Sequence, residues 1–238
     1  MNGKIGVLVK TSLVDFPGRV CASIFLKGCN LHCPYCYNIS LAEGHVEDDY
    51  ITLEELKNHL YRRKNVLSGI TVSGGEALVN PNTKEIISYS KSLGYAVKLD
   101  TNGTLPDKLK ELCRDKNTVP DYIAMDLKTS PENYKKLLPA NCCSIDLESA
   151  LKESIEFLSH WETEKREFRT VLVPSLVDEN TVKKMGLLLP EDSRWFFAEF
   201  VNSSCLDSSY EKLAPYSSLE AEKIIQEAKK IIPGATLR

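Results

Sequence analysis

Apolar and polar positions alternate between two periods along this chain. Residues 19–28 (RVCASIFLKG) combine β-branched and aromatic residues with a glycine stop, which predicts a buried strand. The same plan recurs at 68–75 (SGITVSGG), 95–103 (YAVKLDTNG), 121–128 (DYIAMDLK), 167–174 (EFRTVLVP) and 194–201 (RWFFAEFV), giving six predicted strands. Between them the spacing turns helical, over 51–64, 83–94, 105–116, 146–161, 180–189 and 218–232. Thr52 with Glu55 three residues on is a capping-box pattern. Leu109, Leu112 and Cys113 share one helical face, as do Ile224, Ile225, Ala228 and Ile232.

Strands alternating with helices imply βα units, a parallel sheet and an α/β class. Six units fit a full barrel, a partial barrel or a doubly wound sheet, and pattern alone does not choose. No low-complexity linker or fixed-period repeat interrupts the alternation, so a single domain over 1–238 is expected. In parallel α/β folds, ligands bind at the carboxyl ends of the strands. GCNLHCPYC, SGGE, DTNG, MDLK and the Arg-bearing RTVLVP all fall at such ends, so they are expected to share one face.

Composition narrows the function classes. With 42% hydrophobic and 26% charged residues the chain reads as globular. A net charge of −3 gives no electrostatic case for nucleic acid. No apolar run approaches the ~18 residues of a membrane span. The N-terminal stretch lacks the apolar core of a signal peptide, so a cytoplasmic protein is expected.

There disulfides are rare, which changes the meaning of the eight cysteines. Cys29, Cys33 and Cys36 form C-x3-C-x2-C, pointing to a metal or redox task. Three thiolates can hold three irons of a 4Fe–4S cube and leave the fourth iron open. Zinc, with His32 or His45 as a fourth ligand, and a catalytic disulfide are the competing readings. Cys21, Cys113, Cys142, Cys143 and Cys205 are scattered and read as thiols without a task.

KTSLVDFPGRVCASIFLKGCNLHCPYCYN (10–38) resembles the opening of radical S-adenosylmethionine (SAM) enzymes. More narrowly it is similar to the activating enzymes of glycyl-radical proteins, above all those of anaerobic ribonucleoside-triphosphate reductase. The resemblance continues through SGGE, DTNG, MDLK and RTVLVP. It implies a partial (β/α)6 TIM-like barrel with a parallel sheet. It implies that Cys29, Cys33 and Cys36 bind one 4Fe–4S cluster and that SAM chelates the open iron. SAM would be cleaved reductively, and the 5′-deoxyadenosyl radical would take hydrogen from a glycine of a partner protein.

The same resemblance assigns Ser73, Gly74, Gly75 and Glu76 to the SAM amino group, and Tyr35 to its adenine. Asp126 and Lys128 would lie against the methionine moiety as catalytic residues, the carboxylate near its ammonium and the lysine near its carboxylate. Asp100, Thr101 and Asn102 close the third predicted strand beside the cofactor. Asp100, Thr101 and Asp126 also resemble a monovalent-cation site. Arg169 inside a strand is costly unless paired, and the SAM carboxylate or a ribose hydroxyl would pair it. Asp15 would meet the partner's glycyl loop at the entrance. Asn202 is a weaker transfer.

The 36 residues between Cys36 and Ser73 contain no cysteine, so one cluster loop (28–38) and no ferredoxin-like insert are expected. The implied partners are a glycyl-radical enzyme, foremost anaerobic ribonucleotide reductase, and a flavodoxin or ferredoxin electron donor. Nucleic acid and membrane are not expected. A pyruvate formate-lyase-type activating enzyme, a small-molecule radical SAM enzyme of the deazapurine-synthase kind, and a non-enzymatic iron–sulfur or zinc sensor are the alternatives.

Overall fold

The computed structural model describes residues 3–139 and 146–238, so Cys142 and Cys143 lie outside the described residues. The chain forms two compact units: Met1–Asn30 with Asn38–Thr101 and Asp107–Ile123, and Leu31–Tyr37 with Asn102–Pro106 and Ala124–Arg238.

The first unit holds β1 (Lys4–Ser12), β2 (Cys21–Leu26), α1 (Ile39–Glu43), β3 (Ile51–Thr52), α2 (Leu53–Arg63), β4 (Gly69–Gly74), α3 (Thr83–Ser92), β5 (Ala96–Thr101) and α4 (Pro106–Arg114). Its strand order is β3-β1-β2-β4-β5. β2, β4 and β5 run parallel, whereas β1 pairs antiparallel with both β2 and β3.

The pleat sorts their side chains into two faces. Ile24, Val72 and Leu99 form one row, fully buried and apolar. Each contributes about 1.5–3 kcal/mol by burial. Helix α3 packs on β4 and β5 and buries Ile86 and Ile87. The opposite face carries Ser23, Thr71 and Lys98, which are buried although polar. The predicted capping box is present: the Thr52 hydroxyl accepts from Glu55 N at 3.2 Å, and Glu55 accepts from Thr52 N at 2.7 Å. α2 therefore starts at Leu53, after the cap.

The second unit holds β6 (Tyr122–Asp126), whose last three residues belong to it, α5 (Leu147–Ser159), β7 (Arg166–Leu172), α6 (Glu179–Gly186), β8 (Trp195–Glu199), α7 (Ser218–Lys229) and β9 (Ala235–Leu237). The strand order is β6-β7-β8-β9, and β7, β8 and β9 run parallel. Phe168, Trp195 and Ala235 lie in one buried row. Thr170 Oγ accepts from the Trp195 indole N–H at 2.9 Å, so that polar atom is not stranded in the core. Asp146 caps α5, Asp178 caps α6, and a Ser217–Glu220 capping box starts α7.

All six predicted strands and all six predicted helices form; β7 and α6 start one residue early, α3 and α7 start on the predicted residue, and the other ends are trimmed by one to three residues. The trimming moves two motifs: β6 stops at Asp126, so Lys128 stands beyond the strand, and β5 stops at Thr101. Three strands go beyond the prediction. β3 and β9 are too short for a period to show. β1 is long, but its outer half is exposed or half-exposed, so it lacks the buried run of the others. Among the described residues no helix is long and apolar enough to cross a membrane.

Candidate active site

The carboxyl end of β2 leads into Gly28 and Cys29, and the end of β4 lies directly against these two residues. Gly75 N–H donates to Leu26 O at 2.9 Å, and Glu76 N–H to Gly28 O at 2.8 Å. The approach is close enough to require glycine. A Cβ on Gly74 would lie 2.2 Å from Leu26 N and O, and one on Gly75 would lie 2.3 Å from Gly28 O and 3.1 Å from Cys29 Cβ. The two glycines thus dock one chain segment on another, which adds to the ligand-approach role expected of them.

Glu76 is buried, and its carboxylate has protein partners. Leu78 N–H donates to it at 3.0 Å, capping the short turn Ala77–Val79, and Thr101 Oγ donates at 2.8 Å. The motifs SGGE and DT at the ends of β4 and β5 are therefore joined. Ser73 donates to Asp100 Oδ2 at 3.0 Å, and Asp100 also ion-pairs with Lys98. Asp15 is half-buried, and its carboxylate accepts from Ser23 at 2.6 Å.

In the second unit the loop Leu31–Tyr37 is held by backbone bonds. His32 N–H donates to Leu137 O at 2.7 Å, and Cys36 N–H to Cys33 O at 2.9 Å. The segment after β8 straps it: Leu206 N–H donates to Cys36 O at 3.0 Å, and Asp207 N–H to Pro34 O at 2.8 Å. Asn202 anchors that strap through Nδ2 bonds to Glu211 O and Leu213 O. Cys205, without a role in sequence terms, is buried in the strap; burial first, then Glu211 and Cys36, push its thiol pKa up.

Asp126 sits between two cations. Arg169 Nε donates to Oδ1 at 2.8 Å and Lys128 Nζ to Oδ2 at 3.4 Å. Burial opposes the charge on Asp126, but Arg169 and then Lys128 outweigh it and hold the carboxyl down to about 2. Lys128 is likewise penalised by burial, yet Asp126, Tyr35 and Cys33 keep it well above the ordinary lysine range. The three side chains keep 20–32% of their surface open, so a ligand can reach them.

Tyr35 is buried, and its phenol is pushed well up, first by burial and then by Cys33. Tyr134, which no sequence signal marks, is fully buried; its hydroxyl accepts from Lys128 N–H at 3.0 Å, fixing the MDLK turn. Asn102 accepts from Thr104 N–H at 3.0 Å and from its hydroxyl at 2.6 Å, a turn role for the side-chain oxygen.

The residues fit an iron–sulfur cluster and SAM by their chemistry. Cys29, Cys33 and Cys36 supply sulfur, the soft donor that iron–sulfur clusters take. The methionine end of SAM is a zwitterion, and Asp126 with Lys128 and Arg169 forms a cluster of both signs, a chemistry that fits such a group. No three His, Cys, Asp or Glu side chains among the described residues are already gathered as a metal site. The cysteine assignment accordingly stands on spacing and donor chemistry.

Comparison with known proteins agrees with that chemistry. The family model of the radical SAM superfamily matches residues 23–152. A Methanocaldococcus jannaschii protein assigned as a glycyl-radical enzyme activating enzyme is 29% identical, over 100% of this chain and 97% of its own. The pyruvate formate-lyase-activating enzyme of Clostridium pasteurianum is 28% identical, over 96% of this chain and 94% of its own. A solved structure of TYW1 with a lysine–pyruvate adduct bound superposes with a TM-score of 0.60 at 12% identity, covering 89% of this chain and 74% of that one. That likeness shows the fold, an α/β partial barrel with a mostly parallel sheet. The chain is a radical SAM enzyme: it belongs to the radical SAM superfamily, whose members carry a 4Fe–4S cluster and use SAM.

Proposed function

We propose that this chain is an activase that installs a glycyl radical on a partner enzyme. The observation that carries the reading is the pairing of C-x3-C-x2-C at Cys29, Cys33 and Cys36 with full-length similarity to glycyl-radical activating enzymes. Cys29, Cys33 and Cys36 would hold a 4Fe–4S cluster, and bound there it would supply the one-electron reductive cleavage of SAM by which hydrogen is taken from glycine.

The chain's own residues do the rest. Cys29, Cys33 and Cys36 hold three irons. Lys128 and Arg169 take the SAM carboxylate and Asp126 its ammonium, which the depressed pKa of Asp126 supports by keeping it ionised at every working pH. The docked SGGE segment offers its backbone beside the cysteine loop, with Glu76 and Thr101 fixing its turn. Tyr35 stays a neutral aromatic, suited to stacking on adenine. Asp15 greets the partner's glycyl loop through whatever its bond to Ser23 leaves open.

The partner is anaerobic ribonucleoside-triphosphate reductase, and a flavodoxin or ferredoxin supplies the electron in the reducing cytosol. The VDFPG and GCNLHCPYCYN segments are the parts of the sequence that resemble that subgroup. The test uses reductase labelled with deuterium at glycine Cα, mixed anaerobically with reconstituted, reduced activase and SAM. One deuterium in the 5′-deoxyadenosine, read by mass spectrometry, is expected. Cleavage of SAM without deuterium transfer from that reductase or from a formate lyase moves the reading to a small-molecule substrate. No cleavage with an intact cluster moves it to a sensor.

A further inference from the structure

A charged residue stands in the middle of β5. Lys98 is 2% exposed. Parallel register sets Ser23, Thr71 and Lys98 side by side on β2, β4 and β5. Asp100 is two residues along the same strand and so faces the same way. There Ser73 donates to Asp100 Oδ2 at 3.0 Å, and Lys98 Nζ ion-pairs with Oδ1. Lower in the same polar face, Ser23 donates to the Asp15 carboxylate, and Thr71 to Asp15 O at 3.3 Å. The Asp100 side chain is only 12% exposed. A carboxylate so sheltered needs a counter-charge, which either a dissolved ion or the chain must provide.

We propose that Lys98 is a positioning residue, the tethered counter-ion of Asp100. Its ammonium fixes that carboxylate, and through it the Ser73 hydroxyl, at the carboxyl ends of β4 and β5. No dissolved monovalent cation is then needed at Asp100. The consequence for SAM rests on the activase reading of this edge; the counter-ion role does not.

The test compares wild type with Lys98→Ala in choline, potassium and ammonium chloride at equal ionic strength, reading Tm and, on reconstituted protein, SAM affinity. In choline the variant's Tm is expected to fall by roughly 5–10 °C, and its SAM affinity by about 10-fold. Potassium or ammonium, entering the vacated space, recovers about half or more of both losses, while the wild type responds alike to all three salts. A wild type stabilised by potassium as strongly as the variant overturns the proposal, as does a variant with unchanged Tm. If Lys98→Ala does not fold, Lys98→Met and Lys98→Met/Asp100→Asn decide. Removing the carboxylate that has lost its lysine should raise Tm above that of the single variant, and a further fall overturns the idea. A wild type that binds no SAM sinks the activase reading and leaves the thermal comparison to judge Lys98.

Discussion

Asp126 shows how a side chain can look ordinary in a sequence and act as a hub in a structure. Read alone, D-x-K is a surface ion pair of under ~1 kcal/mol. Arg169, arriving from β7, makes it a three-membered cluster in which one carboxylate serves two cations. Because the folded pKa of Asp126 is depressed to about 2, its contribution is present above the unfolded carboxyl pKa and disappears as pH falls toward 2. Asp126→Asn should therefore cost about 1–2 kcal/mol at neutral pH, a figure reduced for a side chain that is 32% exposed. Urea unfolding at a series of pH values should show that cost shrinking between about pH 4 and pH 2. A cost independent of pH would mean that packing rather than charge is lost. The MDLK pattern made Asp126 and Lys128 legible. Their grip by Arg169 was not, because that contact joins residues 43 apart in sequence, and the Tyr134 bond arises in a short 3-10 turn whose geometry the pattern does not show.

At the scale of elements, the six βα units were readable because their strands carry nearly continuous apolar runs and four of their helices, α2, α5, α6 and α7, start at side-chain caps. Thr52–Glu55 is both a sequence pattern and a pair of hydrogen bonds. Thr52→Ala should cost about 1 kcal/mol in urea unfolding and leave SAM binding unchanged, since the cap stands at the start of α2. Gly75→Ala should do the opposite in kind. Its Cβ would strike the Gly28 carbonyl, so the end of β4 must lift away from the segment that bears Cys29. The expected outcome is a loss of SAM affinity of tenfold or more, roughly 1.4 kcal/mol, read by equilibrium dialysis. Unchanged affinity would show that the docking of SGGE does not shape the binding edge. The sequence reads the glycine motif as a ligand loop; the docking that the structure shows depends on which strand lies beside β4, and sequence order does not reveal that. The strap through Cys205–Asp207 was hidden for the same reason.

At the scale of the whole molecule, chain length and family agree. The similarity to one activating enzyme spans 100% of this chain and 97% of that relative, and the 36 residues between Cys36 and Ser73 contain no cysteine. A net charge of −3 neither drives nor forbids docking of a large partner, so the partner must be found by chemistry. The most direct test is an electron paramagnetic resonance spectrum of the anaerobic reductase after incubation with reconstituted, reduced activase and SAM. A doublet from a glycine radical split by its remaining α-hydrogen is expected, absent when Cys33→Ala replaces the wild type. A silent spectrum, with the cluster intact and SAM consumed, would contradict that expectation.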